Sequence, residues 1–445
     1  MILELKTFQD IASWPTPSDI DCIITHGYYS FGDGGGARYK RVSAPPSHTG
    51  YGVSATGSYF ELQIDGTVLS IKSMGAKGDG IADDTIAICN ALYVYKRVFI
   101  PSGNYKITGH ISIIGSRTVF GDGYNSLIFR GIDDTATETI IDSDGTVYPG
   151  RNTLIFIESG GAGTKISDIR LSGNDNADAG TTLIEFGHNA RNISIERVRG
   201  SYGKTAILTN GELWLTKFAH VWFAACESGV DFSNSGFKTT CVFQNCYMEN
   251  CGTGYVFTNM QYSTMNACGA DHIARPIINP YDPTDVSGYA KAYGNPSRSS
   301  AVYDFKNCKG IVMNGCGCEH SWGNGMVRNV ASDITLNGPR AYKLQSSYSP
   351  NYISFPSFGV GPFSTGTEAC SFSISNASID NYKQWVADAQ KIYFCGFNYL
   401  AATYGNKNFF MAELRSSNIG TWVNGVFGGQ GNTIQYCKDY NANGA

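Results

Sequence analysis

Apolar and polar positions alternate in short bursts along most of this chain. Phe60-Glu61-Leu62-Gln63-Ile64 reads as a strand with one buried face. Val98-Phe99-Ile100, a Pro-Ser-Gly-Asn break and Tyr105-Lys106-Ile107 predict strand, turn and strand. Lys165 to Leu171 (KISDIRL) and Asn192 to Val198 (NISIERV) repeat the design. One segment departs from it: residues 84–95 carry Ile86, Leu92 and other apolar groups at helical spacing, with Asp83 as a candidate N-cap. Trp214 and Trp222 alternate with apolar neighbours, so at least one is expected in the core.

The middle of the chain is self-similar. Tyr255 to Asp271 (YVFTNMQYSTMNACGAD) aligns without a gap on Tyr303 to Glu319 (YDFKNCKGIVMNGCGCE). Tyr, Phe, Asn, Met, Asn, Cys and Gly recur in place, and both segments end on an acid. Cys246-Tyr247-Met248-Glu249 carries the same Cys-x-x-acid spacing one register earlier, and Cys226 precedes it by about one more period. A period of about 20 to 25 residues is one coil of a solenoid. A single coil cannot bury its apolar face alone, so like residues stack in columns on successive coils. Cys246, Cys268 and Cys316 are expected to form one interior column and Phe257 with Phe305 another, while Asn259 and Asn307 stack at an inner turn. The interval from Cys268 to Cys316 is about twice the others. The surplus falls between Arg275 and Ala301, a stretch rich in Pro, Gly, Tyr and Ser that reads as a long loop; a hidden extra coil is the alternative.

Ahead of the repeat stand Gly75-Ala76-Lys77-Gly78-Asp79-Gly80-Ile81-Ala82-Asp83-Asp84-Thr85, then Phe99-Ile100-Pro101-Ser102-Gly103-Asn104-Tyr105-Lys106-Ile107, then Gly121-Asp122-Gly123. In that order they resemble the opening of the pectate-lyase-like β-helix of phage tailspikes and polysaccharide depolymerases. The preceding GYYSFGDGGGARYKRV, with its Gly32 to Gly36 turn between strand-like aromatic pieces, is similar to the short segment that often precedes it. The resemblance implies an all-β fold: a right-handed, single-stranded parallel β-helix with a short capping helix. It implies a structural role for Asp79, Asp83 and Asp84 around that cap. Three regions are expected: a connector or attachment segment over 1–65, the β-helix with a glycan-binding groove over 66–345, and a β-rich region over 346–445 that either continues the coils or forms a trimerisation domain. It also implies a homotrimer, attachment to the phage tail or baseplate through the N-terminal segment, and a place on the virion tail. The superfamily holds hydrolases, lyases and non-enzymatic spikes, so the motifs do not fix a reaction.

Composition narrows the picture. Charged residues are 16% of the chain and the net charge is −4, with no basic run, so no nucleic-acid footprint is expected. Met1 to Trp14 carries Glu4, Lys6 and Asp10 and reads as neither signal peptide nor membrane anchor, which predicts synthesis in a host cytoplasm. The 13 cysteines lack paired zinc-type spacing and are read as buried free thiols; neither metal nor cofactor is expected.

The chemistry rests on carboxylates. Hydrolysis of a glycosidic bond uses one acid to protonate the leaving oxygen and a second to activate water or attack the sugar. The repeat delivers Glu249, Asp271 and Glu319 at equivalent positions. With coils about 4.8 Å apart, Glu249 and Glu319 would lie about 9.6 Å apart, an inverting separation, and adjacent members near a retaining one. Crowding would raise at least one pKa. His272 and Arg275 follow Asp271, and His320 and Trp322 follow Glu319; with Tyr247 and Tyr262 they are candidate substrate-binding residues. The expected function is endo-hydrolysis of a bacterial capsule, O-antigen or exopolysaccharide at the cell surface. A polysaccharide lyase using the His272, Arg275, His320 set, or a spike that binds without cutting, are the alternatives.

Overall fold

The computed structural model describes residues 1–64, 66–131, 137–173, 180–273, 301–319, 326–330 and 332–342, together with strands 371–375, 378–380, 393–396, 409–417, 421–424 and 433–439. The chain opens with a five-stranded sheet formed by Ile2–Leu5, Cys22–Thr25, Arg38–Val42, Tyr51–Val53 and Tyr59–Gln63. Tyr28 to Phe31, expected to be strand-like, is instead wrapped around Asp33, whose carboxylate accepts backbone N–H groups of Tyr28, Tyr29, Ser30 and Gly35.

The capping helix is Thr85–Val94, seated on Ile88, Ala91 and Leu92. Ile86 points the other way and is 71% exposed. The N-cap residue is Asp84 rather than Asp83. Asp84 turns its carboxylate back to accept from the Lys77 and Gly78 amides, so Asp83 takes the Thr85 N–H in its place, at 3.0 Å. Asp79 closes the preceding turn by accepting from Ile81 and Ala82. All three aspartates therefore hold turn backbone, as the motif implied.

From Arg97 onward the chain winds as a parallel β-helix, with one eight-stranded sheet and one 22-stranded sheet that folds around the coil. The earlier segments stack as expected: Lys165–Ser172 pairs in parallel with Ser194–Ser201, Ile166 over Ile195 and Ile169 over Val198. Corners between faces are single residues at positive φ, such as His220, Asn245 and Ala267, with Gly315 and Gly338 in the same column. A non-glycine residue there costs roughly 1–2 kcal/mol. The corner remains within the ladder, because each corner N–H still donates to the next coil: Asn245 to Asn266 O at 2.9 Å, Ala267 to Asn314 O at 2.8 Å. Asn259 and Asn307 also take this conformation, Asn307 on the exposed side, and Asn259 bonds the Ser235 carbonyl.

Inside, residue types repeat. Phe257 stacks on Phe305 at 5.4 Å and Tyr255 on Tyr303 at 5.0 Å between centroids. Cys246, Cys268 and Cys316 form a buried column. Cys226 does not join it: it stands one corner further on and meets Cys251. The ten cysteines whose side chains are described are unpaired by disulfides, nine of them buried. Strands on the two sides of the 274–300 stretch pair directly, Tyr255–Phe257 on Tyr303–Phe305 and Asp271 on Glu319, so no coil intervenes. Four of the described strands from 371 on extend the same ladder: Ser371–Ser375 pairs with Asp333–Asn337, then Phe372–Ser375 with Phe409–Ala412, Ser378–Asp380 with Arg340–Tyr342, and Phe410–Ala412 with Thr433–Gln435. Tyr393–Gly396 and Thr421–Asn424 pair with each other. No helix among the described residues is long and apolar enough to cross a membrane.

Candidate active site

Four three-residue strands build the site: Trp222–Ala224, Tyr247–Glu249, Gly269–Asp271 and Gly317–Glu319. Alternation sends the middle residue inward, so Phe223, Met248, Ala270 and Cys318 are buried. The outer two positions of each strand then make two parallel columns on the surface. One column runs Arg170, Arg199, Trp222, Tyr247, Gly269, Gly317 and then the exposed Arg340. The other runs Ser172, Ser201, Ala224, Glu249, Asp271, Glu319.

The three acids predicted from the repeat thus occupy consecutive rungs, Glu249 opposite Asp271 and Asp271 opposite Glu319. Each has a different setting. Glu249 accepts a hydrogen bond from the Trp222 indole N–H at 3.1 Å. Asp271, 18% exposed, lies 2.8 Å from Nδ1 of His272, whose backbone N–H donates to the Glu319 carbonyl. Glu319 is exposed. Trp222 and Tyr247 meet edge to face, and the Tyr247 ring lies over Gly269, where a Cβ would come within 2.9 Å of it. Gly269 and Gly317 stand in one column beside Asp271 and Glu319 in the other, Gly269 under the Tyr247 ring and Gly317 against the Arg340 backbone. The field of those carboxylates reaches the phenol. Burial first, then Asp271, Glu319 and Glu249, push the Tyr247 pKa up to about 12.

Of the other expected binding residues, Tyr247 and His272 belong to this surface. Tyr262 does not: it is a 70% exposed corner between Met260–Gln261 and Thr264–Asn266, at the far end of the adjoining face. Sequence equivalence with Gly310 put it in the right coil on the wrong corner. Arg275, His320 and Trp322 lie outside the described residues. Neither tryptophan is core: Trp214 is 41% exposed, and Trp222 is half-buried and faces outward. Four contributors were not anticipated. Arg199 is held between the rings of Tyr124, at 3.9 Å, and Trp222, at 4.3 Å, with Arg170 one rung away. The matching segments at 165–171 and 192–198 set Arg170 against Arg197; the strand pairing is two residues further on and brings Arg199 opposite Arg170 instead. Among the described residues, no three His, Cys, Asp or Glu side chains are grouped to hold a metal ion.

Comparison with known proteins agrees with this architecture. Residues 68–274 match the family model described as rhamnogalacturonase A/epimerase, pectate lyase-like. A pre-neck appendage protein of Bacillus phage B103 is 25% identical over 222 residues, 47% of this chain but only 23% of that protein. The gp42 tailspike of Acinetobacter phage vb_AbaP_AS12 superposes with a TM-score of 0.69 at 14% identity, covering 99% of this chain and 75% of that one. Pantoea stewartii WceF, described as a glycan biofilm modifying enzyme with a tailspike-like parallel β-helix, gives 0.52 at 13% identity, covering 84% and 51%. The fold is that of the tailspike β-helices.

Proposed function

We propose that the chain is a phage tail appendage that binds and hydrolyses a bacterial surface polysaccharide, with Glu249, Asp271 and Glu319 as the catalytic carboxylates. The observation that carries this is the acid column itself: three outward carboxylates on consecutive rungs. Structural acids are usually separated or paired with cations, because like charges directly opposite each other destabilise a sheet. Accepting that cost is understandable where the acids act on a ligand. In this reading Glu319, exposed and next to Asp271, donates the proton to the leaving oxygen. Asp271, steadied by His272, or Glu249, steadied by Trp222, serves as the second carboxylate. Adjacent rungs, about 4.8 Å apart, would favour retention; the Glu249–Glu319 pair, about 9.6 Å apart, would favour inversion. The virion-tail location, a homotrimer and attachment through the first 65 residues are parts of the same proposal, supported by the tailspike fold.

The runner-up is β-elimination on a uronate, which needs a base near the acids. Tyr247 is poorly suited, since a phenol pushed up to about 12 stays protonated at neutral pH. His272 keeps that route open. Incubating the full chain with a panel of host surface polysaccharides separates the readings. New reducing ends without the ultraviolet absorbance of an unsaturated uronate are expected. Absorbance gain would replace hydrolysis by elimination, and binding without any shortening would leave a receptor-binding spike.

A further inference from the structure

We infer that the groove carries a built anionic subsite, Arg170 and Arg199 with Tyr124 and Trp222, and that the glycan it takes is a carboxylate-bearing polysaccharide. This rests on the glycan reading above and adds the class of sugar. The Arg199 guanidinium is fixed between two aromatic rings, so both its faces are covered and its N–H donors are left in plane. Its Nε is buried without a hydrogen-bond partner. Arg170 is exposed on the neighbouring rung, directly opposite Arg199. Among the described residues, no carboxylate lies within ion-pair distance of either guanidinium.

The adjoining face of the same coils is an internal control. There Lys165 and Lys217 both reach Glu196, and Arg197 reaches Glu196 and Asp168. The molecule neutralises its cations where they serve structure. On the groove column it stacks two of them and, among the described residues, supplies no counter-ion. Like charges set opposite each other cost stability unless an anion bridges them. A planar carboxylate is the group a rigid guanidinium fork binds bidentately, and prior clamping by two rings reduces the entropy lost on binding. Tyr124 and Trp222 offer faces and edges for a sugar ring beside it.

The placement has a further consequence. Arg199 stands two rungs, about 10 Å, before the rung of Glu249. An acidic chain laid along the column meets positive charge on both sides of the acids, at Arg170 and Arg199 and again at Arg340, exposed opposite Gly317. Its carboxylate is held at the arginines, and a bond further along is presented to Glu249, Asp271 and Glu319.

The test uses the full chain and a panel of bacterial surface polysaccharides, half acidic and half neutral, followed by carbodiimide–borohydride reduction of the carboxyl groups of any glycan bound. The bound members are expected to be acidic, and reduction or Arg199→Ala should each weaken binding by about tenfold or more without adding to one another. Arg170→Ala, at an exposed position, guards against an Arg199 variant that fails to fold; it should weaken binding and flatten its salt dependence. A neutral ligand bound as tightly, or an affinity untouched by both reduction and Arg170→Ala, overturns the inference. Glu319→Gln separates the two proposals: if it still cleaves, the catalytic assignment falls while the anionic subsite stands. A panel with no binding member removes both.

Discussion

Within the strand Tyr247–Glu249, the inward Met248 stands in a column with Phe223, Ala270 and Cys318, all apolar and all buried. The outward Tyr247 stands in a column that passes from Arg170 and Arg199 through Trp222 to Gly269 and Gly317, changing kind along its length. The same backbone ladder carries both. Inside, every coil meets the same demand, to fill a narrow space against the coil before and after, so residue types recur: Phe257 on Phe305, Tyr255 on Tyr303, three cysteines in file. Outside, the column changes from arginine to aromatic to glycine, so that on the proposed reading a ligand longer than one coil meets each rung differently. The acids repeat on the outer side too, as Asn266, Asn314 and Asn337 do in a hydrogen-bonded ladder, but with like charges stacked. Repetition of like charge where packing does not require it is what marks them.

The largest effects should come from the inner columns. Phe257→Ala removes a fully buried ring from the stack with Phe232, Phe243 and Phe305 and should cost about 3–5 kcal/mol, read by denaturant unfolding, with binding lost only as the protein unfolds. On the outer side the order reverses, with function changed and stability kept. Gly269→Val places a side chain where the Tyr247 ring now lies and should lower glycan affinity about tenfold while leaving the melting temperature nearly unchanged. A matching fall in stability would mean that Tyr247 over Gly269 is packing rather than groove.

The smallest effect separates outer structure from outer function. The Ser194 hydroxyl, against some opposing burial, and then Lys217 and Lys165 hold the Glu196 carboxyl down at about 2. A depressed folded-state pKa adds stability above the unfolded value of 4.5, and that stability is lost as pH falls from there through about 2. Glu196→Gln should therefore flatten the acid limb of the stability curve by a small amount, as exposed pairs do, and leave glycan cleavage untouched. A change in cleavage would extend the functional surface onto the adjoining face.

This asymmetry also explains what could be read from the chain alone. The Cys-x-x-acid spacing placed Glu249, Asp271 and Glu319 in register because the neighbouring inner column repeats and fixes the alignment. Tyr124, Arg199 and Trp222 were missed as partners because they differ in residue type from rung to rung; only the pairing of strands brings them together. Tyr262 was misplaced for a related reason. A repeat fixes the coil, but which corner a residue occupies depends on the left-handed residues at Ala267 and at Tyr262 itself, and those positions accept several residue types. Leu213-Trp214-Leu215 misled as a core run because Leu213 points in, Trp214 points out, and Leu215 is itself an exposed corner.

The acid column is tested most directly by the turnover of Glu319→Gln on whichever polysaccharide the wild type shortens, measured beside its affinity and melting temperature. Loss of a positioned general acid should reduce turnover about 10²- to 10⁴-fold, with affinity and melting unchanged. Full turnover in that variant would take Glu319 out of the chemistry, and the repeat on the outer face would need another explanation.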